Sequence, residues 1–178
     1  MNNRHDNAQI TYGVHKTEIG PIILGMNDRA ICWLGFMTSV EEGAYKGDAL
    51  TRMKRHFPNA DFIENNQMTK TQLDHVLKAW NSNQLKSINI DLHGTDFQKS
   101  VWQALLDIPH GKTLSYGNVA KKIGKAGASR AVGTAVGNNP ISLIVPCHRV
   151  LNSNGDLGNY GWGLSTKKFL LQKEGIEF

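Results

Sequence analysis

Cys147 and His148 stand side by side near the end of the chain and are residue types suited to nucleophilic chemistry. A thiol has an ordinary pKa of about 8.5, so a base or a cation within hydrogen-bond reach is needed to supply thiolate at neutral pH. Adjacent residues do not automatically face each other. The pair alone therefore fits a reactive cysteine, and it fits a buried cysteine beside a surface histidine equally well.

The second cysteine, Cys32, lies in the apolar run 30–34 and is interpreted as a buried packing residue. Two cysteines in a chain without an N-terminal apolar segment predict a reducing, cytoplasmic location. They are too few for a thiolate-rich zinc site, so we expect no metal. No cofactor is expected either. No stretch approaches the roughly 18 apolar residues of a membrane span, so no membrane association is expected.

The charge balance is basic, with 20 Lys and Arg residues against 15 Asp and Glu residues and an isoelectric point near 9.3. A polyanion such as nucleic acid is a plausible partner for this balance, although many soluble proteins carry a similar charge without one. The length of 178 residues fits one domain or two small ones.

The first half of the chain has the pattern of a small α+β unit. Residues 10–37 alternate apolar runs with turn residues, which predicts a three-stranded antiparallel meander. Helical spacing predicts helices over residues 40–57 and 69–83, the first of them stopped by Pro58. Alternation over residues 87–92 predicts a further strand. No chemical constellation stands out in this half.

The second half is predicted to be mainly helical. Thr95 and Gln98 have the spacing of a capping box, which predicts a helix over residues 97–108. Ser115 caps a predicted short helix that runs to Ile123, and a glycine-containing turn leads to a second helix over residues 128–138. Two short helices joined in this way are typical of a helix-turn-helix, although an ordinary helical hairpin has a similar pattern. A short strand is predicted at residues 143–145.

The helix over residues 128–138 is unusual because small residues occupy much of it, including Ala131 and Gly133. Glycine inside a helix costs up to about 1 kcal/mol relative to alanine. One explanation is a functional surface onto which another backbone closes tightly, and the other is close packing against a neighbouring helix. Arg130 is the one long charged side chain on this helix.

The run Pro146-Cys147-His148-Arg149-Val150 resembles the active-site signature of the O6-alkylguanine-DNA alkyltransferases. Clear resemblance covers roughly residues 94–175, and the supporting segments are residues 94–98, 101–105, 108–109, 115–116, 130–133, 158–160, 162–163 and 170–171. The resemblance implies an α/β (α+β) protein of two domains. Residues 1–92 would form a ribonuclease-H-like domain with a small antiparallel sheet and helices. Residues 93–178 would form a mainly helical, winged-helix-like domain for DNA binding and alkyl transfer.

The resemblance also implies a mechanism. Cys147 would be the nucleophile that takes an alkyl group from O6 of guanine, and His148 would accept its proton through a water. Glu174 would orient the histidine and stabilise its charged form. Tyr116 would give the leaving base a proton or a hydrogen bond, and Asn139 would pin the turn around the Cys-His segment. Because the product is a thioether that nothing in the chain displaces, each molecule would act once.

A base inside the duplex is out of reach, so the target would have to flip out of the stack. By resemblance, the protein would bind double-stranded DNA as a monomer, and its small-residue helix would enter the minor groove. The residues implied in DNA binding are Arg130, Ala131, Gly133, Ser115 and Ser153, with Arg130 filling the gap left by the base. The residues implied in the guanine pocket are Val150, Tyr160, Gly161 and Trp162, the carbonyls of Cys147 and Val150 reading the guanine amino group. O4-alkylthymine stays open as a second substrate.

Two positions depart from the family pattern. Many relatives have a serine where Gly161 stands, so a hydroxyl contact to O6 would be lost while the backbone NH is kept. Trp162 replaces a glycine, as it does in the methyltransferase half of bacterial adaptive-response proteins, which puts the acceptance of bulky alkyl groups in question.

Three other functions are compatible with parts of this pattern. A DNA-binding relative that recognises the lesion without transfer would lack the cysteine, and Cys147 is present. A cysteine hydrolase using Cys147, His148 and Glu174 would need an oxyanion hole and a peptide cleft, and it leaves the helix-turn-helix without a role. A transcription regulator of the adaptive-response type would need a zinc-binding portion that this length does not accommodate.

Overall fold

The computed structural model describes residues 8–37 and 48–177. Its N-terminal sheet starts with the predicted antiparallel meander, whose strands are β1 (Gln9–Thr17), β2 (Gly20–Met26) and β3 (Ile31–Phe36). All six residues of β3 are buried, which makes this strand the part of the sheet that faces the rest of the molecule.

A fourth strand that the sequence analysis did not predict completes this sheet. Strand β4 (Asp61–Glu64) pairs in parallel with β1, giving the strand order β3-β2-β1-β4. It is four residues long and largely exposed, so it lacks the alternation of apolar residues by which a strand is recognised.

Two helices accompany the sheet. Helix α1 (Ala49–His56) starts after Asp48, whose carboxylate accepts from the Thr51 NH at 2.7 Å. The part of the predicted helix before Asp48, residues 40–47, lies outside the described residues. Helix α2 (Asn66–Asn81) begins three residues earlier than predicted because Asn65 caps it.

The two remaining strand predictions, residues 87–92 and 143–145, are wrong. The free edge of β3 is shared by residues 89–91 and by residues 140–142, which precede the second predicted strand. The Asp91 NH donates to the Ile31 carbonyl at 2.9 Å, and further along the edge the Leu34 NH donates to the Pro140 carbonyl at 2.9 Å. Each contact is short and forms an isolated bridge, Ile31 with Ile90 and Leu34 with Ile141. Residues 85–87 form a 3-10 turn. Leu143, with φ of 71°, lies in a tight turn.

The second half contains the predicted helices and one more. Helix α3 (Asp96–Leu106) ends two residues before the predicted end and starts with the predicted capping box, in which the side chains of Thr95 and Gln98 each accept from the other's backbone NH. Helices α4 (Tyr116–Lys122) and α5 (Ser129–Gly137) form the helix-turn-helix. Helix α6 (Leu164–Lys173) was not predicted. Strands β5 (Leu114–Ser115) and β6 (Val150–Leu151) form a short parallel pair.

The mixed α/β architecture, a small sheet with helices followed by a mainly helical part, confirms the predicted fold class. One buried apolar cluster runs through both halves and includes Phe36, Trp102 and Trp162. In the described parts of the chain, no helix is both long and apolar enough to cross a membrane.

Candidate active site

Cys147 opens a 3-10 turn (Cys147–Arg149) immediately before β6. The turn follows Pro146, and the Cys147 NH donates to the Val145 carbonyl at 2.8 Å. The residue is only 4% exposed, and its thiol donates to the Tyr160 hydroxyl at 3.9 Å between the heavy atoms. Burial raises the pKa of Tyr160 well above its ordinary value, so this hydroxyl stays protonated beside the sulfur.

The side chain of His148, the residue after Cys147, meets the side chain of Glu174, although 26 positions separate the two in the chain. His148 Nε2 donates to Glu174 Oε1 at 2.8 Å, and both side chains are fully shielded from solvent. Glu174 follows the last residue of α6, which carries it back toward the turn. The other ring nitrogen, Nδ1, is buried and hydrogen-bonds to no described residue, so its lone pair is free to accept a proton.

Arg149 holds the same carboxylate from a second side. Its Nε donates to Glu174 Oε2 at 2.8 Å and its Nη2 donates to Oε1 at 2.9 Å, which is a bidentate pair. Its Nη1 donates to the Ile108 carbonyl at 2.6 Å. No role was predicted for this arginine from the sequence. Its place in the run from Pro146 to Val150 indicated that it lies near the site, but residue spacing could not predict that it pairs with Glu174.

The charge states of this group follow from burial and pairing. Burial opposes ionisation of Glu174, but hydrogen bonds from His148 and Arg149 outweigh it and hold the pKa of the carboxyl well below its usual range. Burial lowers the pKa of His148 below its ordinary value of 6.5, although the hydrogen bond and charge of Glu174 oppose the change. A neutral histidine oriented by an ionised carboxylate is therefore positioned to act as a base.

Asn139 fixes the segment that leads to the cysteine. Its Nδ2 donates to the Val145 carbonyl at 2.9 Å, and its Oδ1 accepts from the Ile141 NH at 2.9 Å. The side chain is buried, so both bonds form away from water, where an unpaired polar group would be costly. Asn139 therefore ties together the two ends of the turn before Pro146.

Lys167 is a buried cation that the sequence analysis missed. Its ammonium donates to the Val150 carbonyl at 2.7 Å, to the Asn159 carbonyl at 3.3 Å and to the Leu157 carbonyl. Burial lowers its pKa to about 8. The available hint was its position in α6, one turn before the buried Leu170 and Leu171, where a lysine is out of place on an apolar face. It fastens the loop after Cys147 to α6.

A cavity of about 830 Å³ opens in front of Cys147, a size suited to a small organic group such as a base. Predicted residues that line it are Tyr116, Arg130, Gly133, Asn139, Ser153, Tyr160, Gly161 and Trp162. His148, Glu174 and Val150 do not line it. Ser115 caps α4 by accepting from the Asn118 NH at 3.1 Å, and Ala131 is exposed on α5.

The two explanations for the small residues of α5 can be compared at Gly133. A Cβ built there would lie 3.8 Å from the Tyr116 ring, which is ordinary contact distance. Packing against Tyr116 therefore does not require a glycine. This favours a surface kept bare for a molecule that approaches from outside.

The described residues, 8–37 and 48–177, contain no group of three or more His, Cys, Asp or Glu side chains that could hold a metal ion. Both cysteines are buried and free of disulfide bonds. The helix-turn-helix and the buried cysteine, backed by a histidine and a carboxylate, define a class of DNA-binding proteins with thiol chemistry.

Comparisons with known proteins identify the family. Residues 96–176 match the family described as 6-O-methylguanine DNA methyltransferase, DNA binding domain. The chain is 42% identical over 166 residues to the methylated-DNA–protein-cysteine methyltransferase of Methanosarcina acetivorans, covering 92% of this chain and 97% of that protein. The chain belongs to the methylated-DNA–protein-cysteine methyltransferases, which repair DNA by moving an alkyl group onto one of their own cysteines.

Solved structures agree. The crystal structure of Mycobacterium tuberculosis O6-methylguanine methyltransferase matches with a TM-score of 0.74 and 36% identity, covering 93% of this chain and 92% of that one. A structure of the same organism's OGT in complex with DNA matches with a TM-score of 0.71 and 36% identity, covering 92% of each chain. The predicted family and fold are thereby confirmed.

Proposed function

We propose that Cys147 is the acceptor cysteine, which takes the alkyl group from O6 of guanine in DNA in a single irreversible step. A bond forms between Sγ and the alkyl carbon as the bond from that carbon to O6 breaks, and its electron pair leaves with the guanine. The observation that carries the assignment is the His148–Glu174 pair at 2.8 Å, whose histidine follows in the chain the one cysteine that lines the cavity. Cys32, in contrast, is fully buried in β3.

His148 is the base in this scheme. Because its Nε2 donates to Glu174, the accepting lone pair is on Nδ1, and a water between Nδ1 and the thiol would carry the proton. Arg149 and Glu174 then act together to hold the ring in one tautomer. The proton that the leaving guanine needs would come from Tyr116, which lines the cavity at the start of α4.

The carbonyls of Cys147 and Val150 are the proposed acceptors for the guanine amino group. The Val150 carbonyl already accepts from Lys167 at 2.7 Å, and the Cys147 carbonyl accepts from the Val150 NH. A carbonyl oxygen has two lone pairs, so each retains one for the base. The Gly161 NH would take the place of the hydroxyl that a serine offers O6.

Double-stranded DNA is the proposed partner, bound by a monomer with α5 in the minor groove. Arg130 is exposed near the start of α5 and also lines the cavity, so it can stand beside the position of a flipped base. Ala131 and Gly133 leave the surface bare, and Ser115 and Ser153 are the proposed contacts to DNA phosphates. The proposed division of labour gives residues 93–178 the DNA and alkyl chemistry, and O4-alkylthymine is a second lesion to be tested.

The proposal is tested by mixing the protein with a duplex that carries one O6-methylguanine and measuring the intact mass of the protein. We expect a gain of one methyl group, located on the peptide that contains Cys147. An unchanged protein mass together with an intact lesion would reject the proposal.

Arg130→Ala is expected to slow methyl transfer from duplex DNA by about ten- to a hundredfold. Flipping costs a few kcal/mol, and each loss of about 1.4 kcal/mol corresponds to a factor of ten. Transfer from a single-stranded oligonucleotide with the same lesion should change much less, because little stacking is broken there. Rates are followed by quenched-flow and peptide mass.

The matched control is Arg55→Ala, which removes an exposed arginine from α1. It should leave both rates unchanged. Equal losses on duplex and single strand in Arg130→Ala would contradict the role in flipping and would indicate a general loss of affinity.

A further inference from the structure

Arg52 of helix α1 reaches out of the N-terminal part of the molecule to the rim of the cavity. Its Nη1 donates to the Gly161 carbonyl at 3.0 Å, and its Nη2 donates to the Gly137 carbonyl at 3.5 Å. Its guanidinium carbon lies 3.6 Å from the centroid of the Trp162 ring. One partly buried side chain thus contacts two separate walls of the same cavity, since Gly137, Gly161 and Trp162 all line it.

The indole under this guanidinium is fixed on its other sides. Trp162 Nε1 donates to Ser142 Oγ at 2.7 Å, and the ring meets Phe36 and Trp33 edge-on at centroid distances of 6.1 and 6.5 Å. A Cβ at Gly35 would stand 2.7 Å from the ring, so β3 has no side chain where the indole enters. The guanidinium of Arg52 packs over a face of the Trp162 ring, at a distance typical of a cation–π contact.

The Gly137 carbonyl is at the C-terminal end of α5, the helix whose other end carries Arg130. The last carbonyls of a helix lack intrahelical partners, and a cation there also interacts favourably with the helix dipole. A guanidinium is a planar fork with fixed donor directions, so it can set the distance between two acceptors as a flexible ammonium cannot. Arg52 therefore links the end of the DNA-entering helix to the loop that forms the pocket rim.

We propose that Arg52 is a positioning residue for alkyl transfer, which holds the Gly161–Trp162 wall of the cavity at a fixed distance from the C-terminal end of α5. The proposal rests on the proposed function of Cys147. It makes α1 a functional part of a site that the sequence analysis assigned entirely to residues 93–178. In-line attack needs the reacting atoms aligned, and a displacement of about 1 Å can cost on the order of a hundredfold in rate.

A purely structural role for Arg52 makes a different prediction. An arginine that only stabilises the fold would change the folded fraction and leave the folded molecules fully active. A positioning residue changes the rate constant of transfer in molecules that are folded and already bound to DNA. The two are separated by measuring the rate at saturating DNA on protein whose folded fraction is known.

The experiment compares Arg52→Ala and Arg52→Lys with the wild type and with Arg55→Ala, which removes an exposed arginine from the same helix. Single-turnover methyl transfer from an O6-methylguanine duplex is measured over a range of DNA concentrations. For Arg52→Ala we expect the saturating rate constant to fall about ten- to a hundredfold, with the Kd for the duplex changed by less than about threefold. Arg52→Lys should recover part of the loss, because it keeps a cation near the indole but loses the fork.

Iodoacetamide provides a second readout, since it alkylates Cys147 through the same cavity without requiring a guanine base to be aligned against the Gly161–Trp162 wall. Its rate on Cys147, followed by peptide mass, should be equal in wild type and Arg52→Ala. An unchanged saturating rate constant in Arg52→Ala would overturn the proposal, and so would an equal loss in both reactions or a loss confined to Kd. If Arg52→Ala does not fold, the same criteria apply to Arg52→Lys. If the wild type itself accepts no methyl group, the proposed function of Cys147 is rejected. This outcome is distinct from a failure of the proposal for Arg52, which is judged by comparing the variants with an active wild type.

Discussion

Cys147→Ser is expected to abolish methyl transfer, with a loss of more than about a thousandfold, the scale seen when an enzyme loses its nucleophile. A serine hydroxyl has the same position but is not ionised by a neutral histidine at physiological pH, so no strong nucleophile faces the alkyl carbon. The measurement is the intact mass after incubation with an O6-methylguanine duplex, together with the amount of lesion left in the DNA. The wild type should gain one methyl group and the variant none.

Cys32→Ala is the matched control for this result. Burial raises the pKa of Cys32 to about 12, so this thiol stays protonated inside β3 and is no acceptor. The control should therefore gain one methyl group as the wild type does. The assignment of Cys147 would be contradicted if the Cys147→Ser variant gained a methyl group. It would also be contradicted if the Cys32→Ala variant gained none.

Stoichiometry is part of the same prediction. The thioether formed on Cys147 has no leaving group that a side chain near the cavity could displace. With lesion DNA in excess, repair should stop when one methyl group per protein chain has been transferred. Continued loss of lesion beyond that amount would mean that the cysteine is regenerated and that the mechanism is wrong.

The features that sequence alone predicted well are the local ones. The capping box of Thr95 and Gln98 and the cap of α4 by Ser115 depend on residues three positions apart, so their geometry follows from the residue types. The three-stranded meander depends only on neighbouring segments. The motif around Cys147 also located the candidate nucleophile, although it needed the resemblance to other proteins to connect it to Glu174.

The features that were missed depend on distant contacts. Residues 87–92 have a strand-like sequence, but they share the edge of β3 with residues 140–142, and neither segment completes a strand. Residues 143–145 are also strand-like in sequence, but the chain turns at Leu143. Arg52 meets the pocket rim 109 positions away, and nothing in its own helix distinguishes it from Arg55. Lys167 and Arg149 are similar cases, because a buried cation is explained only by the acceptors that the fold brings to it.

Glu174→Ala is expected to destabilise the protein by about 3–5 kcal/mol, the usual cost of removing one partner of a buried ion pair. The change leaves the guanidinium of Arg149 and the ring of His148 without the carboxylate that both contact at 2.8–2.9 Å. Urea unfolding at pH 7.5 measures the loss. Glu177→Ala, which removes an exposed carboxylate three residues later, should change the free energy of unfolding by less than about 0.5 kcal/mol.

The contribution of Glu174 and His148 to stability should decrease as the pH falls. The folded pKa of Glu174 lies below its ordinary value of 4.5, so its stabilisation is complete above that pH and is lost as the pH falls toward the folded pKa. His148 also has a lowered folded pKa, so protonation below about pH 6.5 favours the unfolded chain. The wild type should therefore lose stability in two stages on acidification, first below about pH 6.5 and then below about pH 4.5.

Glu174→Gln separates the charge from the shape, because the amide keeps an oxygen that can accept from His148 or Arg149. The free-energy gap between wild type and Glu174→Gln should narrow below about pH 4.5, because the wild type loses there the charge that the variant lacks. Methyl transfer should be slower in this variant even where it is folded, because the imidazolium formed when His148 takes the thiol proton has lost its counter-ion. A gap that widens below about pH 4.5, or a folded Glu174→Gln with full transfer rate, would contradict the role of Glu174 as the carboxylate that orients and stabilises the base.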